Sequence, residues 1–268
     1  MRTFAELFRN KKIGFTIFVA ISLIMGASFY YLGMNRVMPQ SSIYFLDNVV
    51  LPEANQKVLI VSPHPDDETI ATGGYIAMSR ERGAEVGIVL VTDGNKHGLR
   101  DKRYLEFKKS TSILGVPESD LMFLNYPDGG LVNIKESELQ ANLKREIDQF
   151  KPNIIIYPNP SDSHSDHATA GLVVSKILTN SKDIIPYQYL VHHKNFPQPK
   201  LYRKNMYLLP PLDAVKFDNE WLRLILPENI ENKKIEAVNS YKTQIRVPFL
   251  KGLIMSSIRK NELFSKGN

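Results

Sequence analysis

Three stretches of this chain, Lys57–Ser62 (KVLIVS), Glu85–Thr92 (EVGIVLVT) and Asn153–Tyr157 (NIIIY), are apolar at almost every consecutive position. A strand with one face in water alternates polar and apolar residues, whereas a strand without that alternation is buried on both faces. Between these runs lie helical patterns at Thr69–Arg82, Arg100–Leu114, Glu136–Phe150 and Ala168–Leu178. Leu121–Leu124 and Tyr187–His193 read as further strands. Strands alternating with helices of this length specify βαβ units. The expected fold is therefore α/β, a Rossmann-like three-layer sandwich with a mostly parallel sheet, preceded by one N-terminal transmembrane helix. After Lys194 the pattern weakens into a proline-rich stretch, and Asn229–Arg246 contains one more helix. This C-terminal part is expected to extend the same domain.

The transmembrane expectation rests on Ile13–Leu32, 20 residues without a charge. As a helix this segment is about 30 Å long, the thickness of a bilayer's hydrocarbon core. Tyr30 and Tyr31 stand where an interfacial aromatic belt would be. Residues 1–36 hold five basic residues against Glu6 alone, a balance of +4 out of the chain's +6. Most of that charge precedes the span, so the positive-inside rule places residues 1–12 in the cytoplasm as a basic tail. Residues 13–32 then form an uncleaved single-pass anchor in the cell membrane, 33–56 a linker, and 57–268 an extracytoplasmic folded domain. The +2 left on 232 residues is too little and too scattered for a nucleic-acid surface.

The chain has no cysteine, which excludes disulfides, iron–sulfur clusters and thiolate zinc sites. A bound metal would need histidine, carboxylate or carbonyl ligands. In open α/β sheets, ligands sit outside the carboxyl ends of the strands. Three polar clusters fall there: His64–Glu68 after the first strand, Asp93 after the second, and His164–His167 after NIIIY. Consecutive carboxylates near a core repel one another and lose hydration, and a cation is the simplest compensation. "PHPDDE" offers His64 and Asp67 three residues apart, stiffened by Pro63 and Pro65, while Asp66 could face a metal-bound water. "HSDH" offers a further imidazole from a distant segment.

Over most of residues 57–193 the chain resembles the PIG-L/LmbE family of zinc-dependent N-acetylglucosaminyl de-N-acetylases. The motifs that carry the resemblance are "PHPDDE" (63–68), "TGG" (72–74), "VTDG" (91–94), "RYLEFKKSTSILGV" (103–116), "YPDGGL" (126–131) and "HSDH" (164–167), in that order. Ser165 and Asn95 depart from the family's usual proline and acid. The resemblance implies that His64, Asp67 and His167 bind Zn2+ and that Asp66 is the general base. It implies that His164 steadies the oxyanion or protonates the departing amine, and that Asp166 orients a histidine. Arg103 would line the substrate pocket. The family pattern also places Asp128 near that pocket, although its setting in "YPDGG" fits a tight turn.

His192 and His193 stand at the end of the last predicted strand, at the active edge; His192 is the candidate to reach substrate, the alternative being a hydrogen-bonded strand end, and His97 reads as a solvated loop residue. The implied activity is hydrolysis of the acetyl group from an N-acetylglucosamine-type glycolipid, glycan or cell-wall conjugate by zinc-activated water. The alternatives are a zinc amidase acting on a non-sugar amide, and a non-catalytic membrane-anchored glycan-binding module. The zinc assignment requires the imidazoles of His64 and His167 to lie within about 5 Å, close enough to share one ion.

Overall fold

The structure, a computed structural model, describes residues 11–34, 38–179, 181–194, 196–215 and 220–267. The basic tail expected at 1–12 lies, up to residue 10, outside the described residues. The chain divides into two units, residues 1–37 and 38–268.

Among its described residues the first unit holds one helix, α1 (Lys11–Met34). Its Lys12–Tyr30 stretch has a mean hydropathy of 2.0 and none of it is buried within the protein. By length and composition this helix can cross a membrane.

The second unit is built on one eight-stranded sheet. Its strands are β1 (Asp47–Asn48), β2 (Lys57–Ser62), β3 (Glu85–Thr92), β4 (Leu121–Tyr126), β5 (Ile154–Pro158), β6 (Ile185–Tyr189), β7 (Trp221–Ile225) and β8 (Asn261–Lys266). They lie in the order β1-β7-β8-β6-β5-β2-β3-β4. Strands β2 to β6 pair in parallel, while β8 runs antiparallel to both β6 and β7. From β2 the chain steps outward through β3 and β4, then returns to place β5 and β6 on the other side. The order therefore reverses between β2 and β5, and a crevice opens at such a switch point.

Alternate residues of the central strands feed two separate cores. Val58, Ile60, Val86, Ile88, Leu90, Ile154 and Ile156 pack on one face with side chains of α2 (Asp67–Glu81), α3 (Arg100–Ile113) and α6 (Glu228–Val238). Leu59, Val61, Val89, Val91, Ile155 and Tyr157 pack on the other with α4 (Glu136–Phe150) and α5 (Ser165–Leu178). Helix α4 shows the reason plainly. Leu139, Leu143 and Ile147 recur every four residues, form one stripe, and are its buried residues. Burial on both faces explains why the central strands carry no polar alternation.

Three expectations change. Residues 38–56, expected as linker, belong to the folded unit: a 3-10 turn at Gln40–Phe45 buries Ile43, and β1 pairs with β7. The last predicted strand ends at Tyr189 instead of His193, so His192 and His193 stand on the loop beyond it. The C-terminal region holds two strands and two further helices, α7 (Lys242–Ile245) and α8 (Pro248–Ser256). Strand β8 is apolar only at Leu263 and Phe264, and its polar Asn261, Glu262 and Ser265 are buried by pairing, which hid it from periodicity. Glu262 is the clearest case. It accepts from Lys234 Nζ at 2.6 Å and from the amides of Gly74 and Tyr75 at 2.6 and 2.8 Å.

Gly171 sets how closely α5 approaches β5. A Cβ there would lie 2.3 Å from the Pro158 carbonyl oxygen, a backbone atom that has no rotamer to move. Gly171→Ala should therefore cost about 1–3 kcal/mol of stability, read as a lower unfolding temperature of the full chain in detergent by circular dichroism.

Candidate active site

The two central parallel strands on either side of the switch point deliver the two histidine segments. Strand β2 ends at Ser62 and the chain turns through Pro63–Asp66 into α2. Strand β5 ends at Pro158 and a short loop leads to His164, the N-cap of α5.

At their meeting point His64 Nδ1, Asp67 Oδ2 and His167 Nε2 form a triangle. The sides are 3.2 Å (His64–Asp67), 3.0 Å (Asp67–His167) and 3.3 Å (His167–His64). All three residues are buried, His167 completely. Wider groupings of ligand atoms surround the same point. His64 with His164 and His167, Asp67 with His167 and His192, and His64 with Asp128 and Asp166 each lie within 4.8 Å of one another. Each of these groupings shares one or two members with the triangle.

Each imidazole is held from behind. His64 Nε2 lies 3.0 Å from Asp166 Oδ2, and the Asp166 carboxylate also accepts from the amides of Gly129 (2.7 Å) and Leu131 (3.1 Å). This turns Nδ1 of His64 toward the triangle. His167 Nδ1 lies 3.4 Å from Asp162 Oδ2, a charge contact that is too poorly aimed to count as a hydrogen bond. Asp162 in turn accepts from the amides of His164, Val191 and His192 at 2.9, 3.1 and 2.9 Å. Sequence reasoning missed Asp162. Its only signal was a carboxylate two residues before the HSDH run.

The electrostatics follow from this crowding. Burial alone would lower the proton affinity of His64, but hydrogen bonds to Asp166 and Asp67 override it and raise the pKa to about 9. Burial acts the same way on His167, and the Asp67 charge with the Asp162 contact lifts it to about 10. The carboxylates thus favour cations at both rings. Asp66 is pushed up to about 8, chiefly by burial, with Arg103 opposing and Asp67 and Glu68 reinforcing. His164 moves down, through burial and then the neighbouring imidazoles. Its Nδ1 accepts from the Asp166 amide at 3.3 Å, which fixes the neutral tautomer with hydrogen on Nε2.

Asp66 has φ of +129°, a conformation that residues with a Cβ rarely adopt. The surroundings hold it there. Its carbonyl accepts from the amides of Thr69 and Ile70, and its own amide donates to Glu68 Oε2 at 3.2 Å. Glu68, the third acid of the motif, is fully buried and also accepts from Ser62 (3.2 Å), Thr69 (2.5 Å) and the Tyr241 hydroxyl. It secures the helix start to the C-terminal region and does not face the cleft.

These groups form one end of a cleft of about 430 Å3. His64, Asp66, Asp67, His164 and His192 line it, with His97 and Lys96 at its edge. The opposite wall comes from Thr243, Gln244 and α8 residues including Leu250 and Leu253, none of which the sequence singled out. Arg103 and Asp128 also line this cleft, and both make contacts within the protein. Arg103 donates to the carbonyls of Pro65 (2.8 Å) and Gly94 (3.2 Å) and to Asp128 Oδ2 (3.1 Å). Asp128 Oδ1 lies 3.4 Å from His64 Nε2. Arg103 therefore ties together the loops after β2, β3 and β4. Arg103→Lys, which loses the planar fork, should lower stability by about 1–3 kcal/mol. It should also speed amide hydrogen exchange at residues 64–68, whereas a role confined to substrate contact would leave both unchanged.

Known proteins resemble this chain in sequence and in fold. Residues 59–178 match the GlcNAc-PI de-N-acetylase (PIG-L) family. The chain is 33% identical over 130 residues to diacetylchitobiose deacetylase from Thermococcus kodakarensis, covering 44% of this chain and about half (47%) of that relative's length. It is 27% identical over 207 residues to a probable N-acetyl-alpha-D-glucosaminyl L-malate deacetylase 2 from Bacillus anthracis, covering 70% and 80% of the two chains. The crystal structure of N,N'-diacetylchitobiose deacetylase from Pyrococcus horikoshii shares the fold, with a TM-score of 0.58 at 21% identity over 79% of this chain and 84% of that one. It is residues 59–178, a little under half of the chain, that match the PIG-L family, and the relatives the chain matches carry deacetylase names.

Proposed function

We propose that this protein is a metal-dependent hydrolase that removes the acetyl group from an N-acetylglucosamine-type conjugate. The observation that carries the proposal is the triangle of His64 Nδ1, Asp67 Oδ2 and His167 Nε2, with sides of 3.0–3.3 Å. Tetrahedral bonds of about 2.0–2.1 Å set neighbouring ligand atoms about 3.3 Å apart. Two protonated imidazoles at this separation repel each other, and one cation between them and the carboxylate would replace both protons. The donor set therefore fits zinc, which His64, Asp67 and His167 would hold, the first two of them lining the cleft.

A divalent metal held there supplies Lewis acidity, polarising an acetamide carbonyl and making water acidic near neutral pH. The rest is the work of the chain. Asp66 takes the proton from the attacking water; its raised affinity suits a base that must both accept and release a proton near pH 7. His164, neutral and protonated on Nε2, donates a hydrogen bond to the developing oxyanion. Asp66 then returns the proton to the departing nitrogen, which leaves as an amine beside acetate. Asp166 and Asp162 hold His64 and His167 in register.

Acetate release from N-acetylglucosaminides, run beside simple acetamides, tests the reaction; no release from the sugars in zinc-supplemented full chain would overturn it. Asp66→Asn should keep its zinc on dialysis, by elemental analysis, yet lose roughly 10²-fold or more in rate. His167→Ala should lose the zinc itself. The anchor belongs to the same proposal. Residues 13–32 span the membrane with the domain outside, and protease added to intact cells should cleave that domain.

A further inference from the structure

Beside the catalytic cleft lies a second cavity of about 130 Å3. The two share the side chains of Ile70, Val191, His192, Leu253 and Ile254, so they are compartments of one groove. His192 is the partition. Its ring centroid is 4.9 Å from that of His167 and 5.5 Å from that of His164. A group seated in the second cavity is thus one imidazole away from the triangle.

The two compartments differ in charge. The first contains Asp66, Asp67 and Asp128. No carboxylate lines the second, which instead has Lys194, Lys200 and His193, with the hydroxyl residues Ser163 and Ser257. Asp213, outside the lining, pairs with Lys194 Nζ and lies 3.1 Å from His193 Nε2. The ammonium of Lys200 donates to the carbonyl of Lys194 at 3.0 Å and has no carboxylate partner among the described residues. One positive charge is left without a counter-charge.

The loop that carries Lys200 is fixed. Arg259, almost fully buried, donates to the carbonyls of Pro199 (2.8 Å) and Leu201 (3.1 Å), on either side of Lys200. Phe196 packs with Leu190, Leu208, Trp221 and Leu263. A lysine on a fixed loop, above an apolar floor of Phe196, Pro197 and Leu253, is suited to an anionic group borne on a short carbon skeleton.

We propose that the second cavity is a subsite for an anionic aglycone, a phosphate or carboxylate joined to the sugar, with Lys200 as its charge partner. This rests on the proposed deacetylation for the placing of the sugar and deepens it by naming the substrate class. The acetamide would sit at the triangle and the group attached to the sugar would extend past His192.

Binding of deacetylated sugars tests the subsite without turnover, because they hold no amide to hydrolyse. The ligands are methyl glucosaminide, glucosamine 1-phosphate and glucosaminyl malate, titrated calorimetrically into zinc-supplemented full chain in detergent. At least one anionic ligand should bind about tenfold more tightly than the methyl glycoside. Lys200→Glu should abolish that advantage and Lys200→Arg should keep it, with Lys200→Gln replacing the glutamate variant if that one does not fold. Comparing the malate and phosphate arms tells which anion the site takes. Equal affinity for charged and neutral ligands, no binding of either anion, or an advantage that survives in both Lys200→Glu and Lys200→Gln would overturn the proposal, even if acetate release is found. An anion advantage that depends on Lys200, in a protein that releases no acetate, would uphold the subsite and overturn the deacetylase reading.

Discussion

One carboxylate oxygen organises the centre of this protein. Asp67 Oδ2 lies within 3.2 Å of His64 Nδ1 and His167 Nε2, and it also accepts from the amide of His64 at 3.0 Å. It thus joins the turn after β2 to the helix after β5. Those segments are 100 residues apart in the chain, yet neighbours because the strand order reverses between β2 and β5. Burying such an oxygen is favourable only with cationic or hydrogen-bonding partners on every side. The sheet topology provides them.

The surrounding carboxylates divide the work. Asp166 and Asp162 each collect two or three backbone amides and turn the remaining lone pairs toward one imidazole. Their amide donors come from the 129–131 loop, from His164 and from the 191–192 loop, so each imidazole is tied to a segment far from its own along the chain. Arg103 performs the complementary task with cationic donors, gathering carbonyls from the loops after β2 and β3. Strain at Asp66 persists because these interactions over-determine its turn.

The parallel half of the sheet, its helices and the residues of the two motif segments were legible in the sequence because each depends on local chemistry. Uninterrupted apolar runs identify buried strands, and carboxylates beside imidazoles beyond them identify a charged edge. What escaped depends on partners far along the chain. Glu68 reads like Asp66 and Asp67, but its pairing with Tyr241 makes it part of the core. Asp162 looks like a turn residue until the 191–192 amides are placed on it. Strand β8 carries buried Asn261, Glu262 and Ser265, whose partners include Leu208 for the first, Lys234 and the Gly74 and Tyr75 amides for the second, and Asn159 for the third. Arg103 lines the cleft as its motif implied, but its donors to the Pro65 and Gly94 carbonyls and to the Asp128 carboxylate depend on loops brought together by the sheet.

This division has a consequence for selectivity. The triangle and the carboxylates behind it lie within residues 59–178, the span matched to the family, with the Val191 and His192 amides that hold Asp162 reaching in from beyond it. The far wall of the cleft and most of the second cavity come from residues 191–200 and 243–257, outside that span. Antiparallel strand β8 makes this possible, since it returns the chain beside β6 after α7 and α8 have crossed the mouth of the crevice. Chemistry held by one set of segments and a wall built from another can change independently. A cage that needs 3 Å precision tolerates little variation in the loops after β2 and β5, whereas an apolar wall with a single lysine can be altered one side chain at a time. The groove past His192 is therefore where this chain has freedom to differ from its relatives.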